Sequence, residues 1–396
     1  MDKNISNKEN KCILLNKNMN YKIILVRIAK SVNNIIGWHT NRKIVVIESD
    51  DWGSIRMPSK VVFDEFLNRG YPIDKRVHEK FDILANSQDL ESLFATLKSI
   101  KNLKGQCPII TANTVVANPD FKKIKDNDFQ EYFYEPFTTT LKSYYPNENV
   151  FSFWELGIRE KIFFPQFHAR EHYNIIKWMK LLQNNSVNDI EAFEFNMVGI
   201  PSKENPELGN QLQIAYSIDS VKDLELQKKI ILEGLNLFKN LFGFTSKSFI
   251  APVYTWNENL EATLFSKGVK YIQGNRIQNS PNIKTGKIKK IKHFLGKENI
   301  YKQIYLVRNV FFEPCTNMKK DWVNDCFWDV RTAFFCKKPV VISTHRVNYV
   351  GGLCLKNRER GNILLREFLL KIVEKYPDVE FMTSVQLGDL IKKSKK

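Results

Sequence analysis

The run Lys43-Ile44-Val45-Val46-Ile47-Glu48-Ser49-Asp50-Asp51-Trp52-Gly53 constrains this chain more than any other stretch. Its four consecutive β-branched residues show no polar alternation. That is the pattern of a strand buried on both faces, as in the parallel sheet of an α/β protein. The run then turns acidic at Glu48, Asp50 and Asp51. Carboxylates at the end of a buried strand are costly unless a cation, a partner or a ligand takes up the charge. In α/β folds the carboxyl ends of the strands are where ligands bind. A solvated acidic turn is the bland alternative, and the histidines further along weigh against it.

The rest of the chain alternates. Strand-like runs at residues 108–111, 248–252, 269–272, 304–312, 339–343 and 380–383 are separated by helical patterns, including 58–70, 89–101, 219–241, 260–265 and 361–376. About seven such cycles predict an α/β fold, either a parallel (β/α) barrel or a doubly wound sheet. Residues 153–164 read as a helix with its following turn, and residues 168–182 as a helix opened by His168. Residues 132–145 and 184–218 read as irregular, the latter as an insertion. No Pro/Gly/Ser linker divides the chain. The expected organisation is one domain over 43–392 behind an N-terminal extension, 1–42, with a short amphipathic helix at 21–38.

The formal net charge of +17 invites a nucleic-acid reading. The lysines are scattered, however, and the densest stretch, 284–302, lacks the glycine and aromatic texture of a single-strand binding platform. No nucleic-acid partner is expected, and attraction to an anionic polysaccharide or a membrane surface stays open. Residues 21–38 are too short and too charged to span a bilayer, so membrane contact would be peripheral at most. The first residues hold no apolar core of signal-peptide length. The six cysteines include no C-x-x-C pair and sit among apolar residues, which suits free thiols in a reducing compartment. A cytoplasmic protein is expected, any contact with the inner membrane being peripheral.

His168 and His172 are four residues apart. On a helix their Cβ atoms would lie roughly 6 Å apart on one face, close enough to share a metal ion. Two imidazoles, a carboxylate and an open position make up a catalytic divalent site. Glu171 adjoins the second histidine, which argues against an H-E-x-x-H protease. His345 ends the run Val340-Val341-Ile342-Ser343-Thr344-His345, which places it at the same end of the fold as Asp50 and Asp51, as a candidate general acid. His39, His78 and His293 have no such setting.

Asp50-Asp51 after a first strand, His168-x-x-x-His172, a Pro252 strand with Tyr254 close by, and a late strand ending in His345 occur in this order in the polysaccharide deacetylase (NodB-like) superfamily, which the chain resembles over about residues 43–392. The resemblance implies a distorted, commonly seven-stranded (β/α) barrel. It also implies removal of an N- or O-acetyl group from a sugar or glycan precursor with one divalent metal, Zn²⁺ being the expected ion. Asp51, His168 and His172 would then bind the metal, Asp50 would be the base and His345 the acid. Trp52, Tyr254, Trp256, Trp328 and Arg346 are candidates for the substrate side. The chain departs from the pattern at Ser49, Ala169 and Ile250. Ile250 stands where the family has the arginine that holds the base, and Arg170, Arg276 and Arg346 are candidates to replace it. A glycoside hydrolase with Asp50 and Glu171 as its two carboxylates is the rival reading. An inactive glycan-binding homologue is another.

Overall fold

A computed structural model describes residues 34–201, 203 and 208–395. The expected helix at 21–38 lies mostly outside them. Nine strands form one sheet in which every pair is parallel: β1 (Ile44–Trp52), β2 (Ile110–Val115), β3 (Phe163–Ala169), β4 (Ser248–Ile250), β5 (Tyr271–Gly274), β6 (Ile304–Val307), β7 (Val310–Phe311), β8 (Val340–His345) and β9 (Glu380–Met382). The order is β6-β5-β4-β3-β2-β1-β8-β7, with β9 paired to the foot of β1.

The two edges of this order belong to one piece of chain. Only Arg308 and Asn309 separate β6 from β7; Arg308 N–H donates to the Gly274 carbonyl, and Asn309 N–H to that of Val341. The segment leaves β5 and joins β8, so the sheet closes on itself through it. Counted as one stave, it leaves seven positions around the ring, with β9 as a side branch. The barrel reading is the correct one of the two. The extra strand counts come from the bend at residues 308–309 and from β9.

Alternation along β1 divides the layers. Val45 and Ile47 join the core beneath the outer helices, whereas Ile44 and Val46 pack with Tyr271, Ile304, Leu306 and Val341 inside the ring. Leu387 and Ile391 of the last helix, α8 (Ser384–Ser394), close that apolar floor. Above it the interior turns polar, with Glu48, Thr111, Gln273, Arg308 and Ser343 all buried. The ring thus carries its charges at the carboxyl ends of the strands.

The outer helices used below are α1 (Lys60–Asn68), α2 (Ser87–Lys98), α3 (Val150–Arg159), α4 (Ile175–Gln183), α5 (Val221–Phe242), α6 (Trp322–Phe335) and α7 (Leu355–Lys375). Local chemistry sets their ends. Asn86 and Asp89 form a reciprocal capping box on α2, and Thr383 and Gln386 do the same for α8. Ser220 caps the start of α5, and Gly243, at φ +75°, ends it in the left-handed region.

Several local expectations change. Residues 168–172 are not helical: His168 is on β3, His172 is in the loop after it, and α4 begins only at Ile175. The segment expected as helix at 153–164 divides into the end of α3 and the start of β3. Residues 132–145 hold a short strand, Tyr134–Pro136, and a helix, Phe137–Tyr144. The 184–218 insertion contains the helix Val187–Glu194 and the 3₁₀ turn Leu208–Gln213. The basic stretch forms one arm of an antiparallel ribbon, Ile277–Pro281 against Ile288–Lys292. No disulfide joins the described cysteines, and no described helix is long and apolar enough to cross a membrane.

Candidate active site

The end of β1 breaks its own alternation. Its register with β2 shifts between Ser49 and Trp52, and Asp51 has φ +72°, in the left-handed region that Asp tolerates better than most residues. Gly53 follows at φ +85°, where an added Cβ would lie 2.3 Å from the Val115 carbonyl oxygen. The bulge turns two adjacent carboxylates into different surroundings.

Asp51 turns toward the histidines. Its Oδ1 lies 3.0 Å from His172 Nε2 and 3.4 Å from His168 Nε2. All three side chains are buried, with ligand atoms within 4.8 Å of one another. His168 Nδ1 donates to the Ile250 carbonyl at 2.9 Å, and its buried Nε2 has no hydrogen-bond partner among the described residues. His172 Nδ1 is 3.2 Å from Gln213 Oε1. Burial pushes the His172 imidazole down to about 4 despite Asp51 beside it, so at neutral pH it carries one proton between two acceptors. A proton on Nδ1 leaves three lone-pair donors converging on one point, which is the donor set of a divalent cation.

Asp50 turns into the ring. Arg308 Nη1 and Nη2 donate to its Oδ2 and Oδ1 at 2.7 and 2.6 Å, and Asn113 Nδ2 donates to Oδ1 at 2.7 Å. Burial alone would raise this carboxyl; the guanidinium outweighs it and holds the group down at about 2. Arg308 also donates to Glu48, Ser343 and the Tyr254 hydroxyl. It holds the Asp50 carboxylate as the arginine expected at position 250 would, from the bend between β6 and β7. Of the three candidates for that role, Arg346 pairs with Asp82, Arg170 with Glu171 and Glu233, and Arg276 lies outside this cleft.

His345 faces the same cleft, with Nε2 3.7 Å from Asp50 Oδ2 and Nδ1 2.6 Å from Glu313 Oε1. Burial disfavours its imidazolium, but Glu313 more than offsets that and holds the group well above its ordinary value. Asn348 Nδ2 fixes the other Glu313 oxygen at 2.7 Å. Nothing in the sequence pattern marked Arg308 or Glu313.

Asp50, Asp51, His168, His172, Tyr254 and His345 line one cavity of about 410 Å³. Arg56, His78 and Gln213 complete its wall, and the His78 ring meets His345 edge-on at 5.7 Å. Asp51, His78 and Asp82 also lie close enough to share a cation, but Arg56 sits between the two carboxylates, 3.6 Å from Asp51 and 3.7 Å from Asp82. Other candidates for the substrate side lie elsewhere. Trp52 is buried beneath the helices, its Nε1 donating to Ser49 and its ring edge-on to Phe163 at 4.8 Å. Trp256 is buried with its Nε1 on Glu261. Arg346 is fully buried, donating to Asp82 and the Ser54 carbonyl. Trp328 belongs to a separate groove on α6.

A scan against protein-family models and a sequence search of curated proteins each gave no match. Solved structures do match. The chain trace is similar to those of carbohydrate deacetylases. A Mycobacterium smegmatis protein assigned to the polysaccharide deacetylases is 10% identical, with 91% of this chain and 94% of that one covered, at a TM-score of 0.43. Peptidoglycan deacetylase PdaC of Bacillus subtilis is 10% identical, covering 90% and 94%, at 0.35. A Parabacteroides distasonis protein assigned as a glycoside hydrolase/deacetylase is 9% identical, covering 89% and 72%, at 0.45. At these identities and TM-scores the likeness adds nothing to the side-chain geometry, which carries the functional reading.

Proposed function

We propose that this chain is a metal-dependent hydrolase that removes an acetyl group from an N- or O-acetylated sugar, with Asp51, His168 and His172 holding the ion and Zn²⁺ as the ion that suits them. The observation that carries the reading is the convergence, in one cavity, of that ligand set, an ionised carboxylate and an imidazole held protonated. When bound, the ion supplies a Lewis acid for the acetyl carbonyl and makes a nearby water more acidic.

The chain's own groups do the rest. Asp50, aimed by Arg308 and Asn113, orients the attacking water and accepts its proton as the bond to carbon forms. A carboxylate with so low a pKa is a weak base, so much of its contribution is positioning. His345, kept charged by Glu313, protonates the departing nitrogen or oxygen, because an amine anion is too poor a leaving group to depart unaided. Tyr254 and the exposed Val253 stand at the rim, where a sugar ring would lie. The rival glycosidase pair finds no support: Glu171 is buried against Arg170 and does not line the cavity. The test is acetate release from N-acetylated oligosaccharides and O-acetylated sugars before and after metal removal. Release that persists in fully stripped protein would sink the proposal.

A further inference from the structure

A second cavity, of about 320 Å³, opens at the seam of the barrel, against the bend at Arg308 and Asn309 and on the outer ribbon side. Lys338 lines it and is 3% exposed; its Nζ donates to the carbonyls of Ile36 and Trp38, both at 2.8 Å. Among the described residues, one of its three N–H donors is left without a partner and no carboxylate lines the cavity. A buried ammonium with no counter-charge is rare and costly unless a ligand supplies one. Burial lowers this amine to about 8.

Arg276 stands at the same cavity. Its guanidinium has no hydrogen-bond or ion-pair partner among the described residues. Across the ribbon, His293 N–H donates to the Arg276 carbonyl at 2.8 Å, which puts His293 directly opposite Arg276, with the two side chains on one face. His293 is 3% exposed and also lines the cavity. Its Nε2 is 2.7 Å from Gln278 Oε1, whose own amide Nε2 donates to the Trp256 carbonyl. The Gln278 oxygen can only accept, so the imidazole proton sits on Nε2, and Nδ1 is sealed in the wall with no partner among the described residues. Burial lowers this imidazole to about 4, so it stays neutral at working pH.

We propose that the seam cavity binds a phosphorylated sugar or polyol, its phosphate between Lys338 and Arg276. A phosphate oxygen suits both the compact ammonium and the guanidinium fork. Phe294 and Phe311 at the wall offer apolar contact for the ring. The site is separate from the catalytic cleft and does not depend on the deacetylase reading.

The experiment titrates the full chain calorimetrically with D-glucose 6-phosphate, and separately measures co-sedimentation with phosphatidylcholine vesicles carrying phosphatidylinositol 4-phosphate. The two arms separate a free ligand from a lipid-borne one. D-glucose serves as the uncharged control. Saturable binding in either arm, absent with glucose, is expected. Arg276→Gln, at a half-buried position, should weaken it roughly tenfold or more, as should Lys338→Met. Binding in neither arm, or binding unchanged in Arg276→Gln, overturns the proposal.

Discussion

Arg308 and Asp50 form a two-pronged ion pair at 2.7 and 2.6 Å across 258 residues of sequence, and both are buried. The same guanidinium meets Glu48 at 2.7 Å, so one cation faces two carboxyl groups inside the ring; burial raises that of Glu48 above its ordinary value, while Asp50 is held down. It also stands where the sheet closes. Removing it would leave both buried carboxyl groups without their cation.

Arg308→Met is therefore expected to cost about 3–5 kcal/mol of unfolding free energy, the range for breaking a buried pair from one side. Arg308→Lys keeps the charge but loses the fork, and should lie between wild type and Met. Adding Glu48→Gln to Arg308→Met should recover part of the loss. Urea denaturation of the four proteins checks this; a loss below about 1 kcal/mol for Met would show that the pair does not hold the seam.

The pH dependence follows from two opposite shifts. Asp50 is held at about 2, below its ordinary 3.8. Its contribution to stability is present above pH 3.8 and is lost as pH falls toward 2. His345 lies well above its ordinary 6.5. Its contribution is full below 6.5 and is lost as pH rises through the folded value. If His345 donates the leaving-group proton, Glu313→Gln should move the alkaline limb of kcat to lower pH while leaving bound metal unchanged. An alkaline limb that stays put in Glu313→Gln would remove His345 from the acid role.

How much of this was legible in sequence depended on whether the signal was local. Residues 44–52 declared a buried strand because burial on both faces demands a continuous β-branched run. The His168–His172 spacing pointed to a shared ion for a partly mistaken reason, since i,i+4 proximity on a helix was assumed. The rings meet because β3 ends at Ala169 and the loop folds back beside it. Arg308 and Glu313 were invisible. Each flanks a short apolar strand without a motif, and their partners lie far away in sequence or become neighbours only when the barrel closes. Trp52 and Trp256 resembled a sugar platform because they adjoin motif residues, but the bulge after Ser49 sends the Trp52 ring under the helices.

Gln213 supplies a further check on the ligand set. Its Oε1 accepts from Arg56 and faces His172 Nδ1, so it can hold the imidazole with Nε2 free for an ion. Gln213→Ala should weaken metal binding by about 10–100-fold, the usual cost of losing such a support. Competition with a fluorescent chelator measures it. Unchanged affinity would mean that the loop alone orients His172.

The last prediction separates the two adjacent aspartates. Asp51 sits in the left-handed region with an oxygen near both imidazoles, whereas Asp50 is bound by Arg308 and Asn113 and lies 3.7 Å from His345. A carboxylate bound to a cation is a poor proton acceptor, and one held nearby but off the ion remains available. Asp51→Asn should therefore lose metal and activity together. Asp50→Asn should keep the metal and lose turnover by about 10²–10⁴-fold, the range for removing a general base. The amide also weakens the Arg308 pair, so unfolding free energy must be measured alongside. A stable Asp50→Asn protein that binds metal but turns over poorly fits the division. Loss of metal from Asp50→Asn with retention in Asp51→Asn would reverse the roles. Full activity in both variants would leave the aspartates structural and remove the hydrolase reading at its centre.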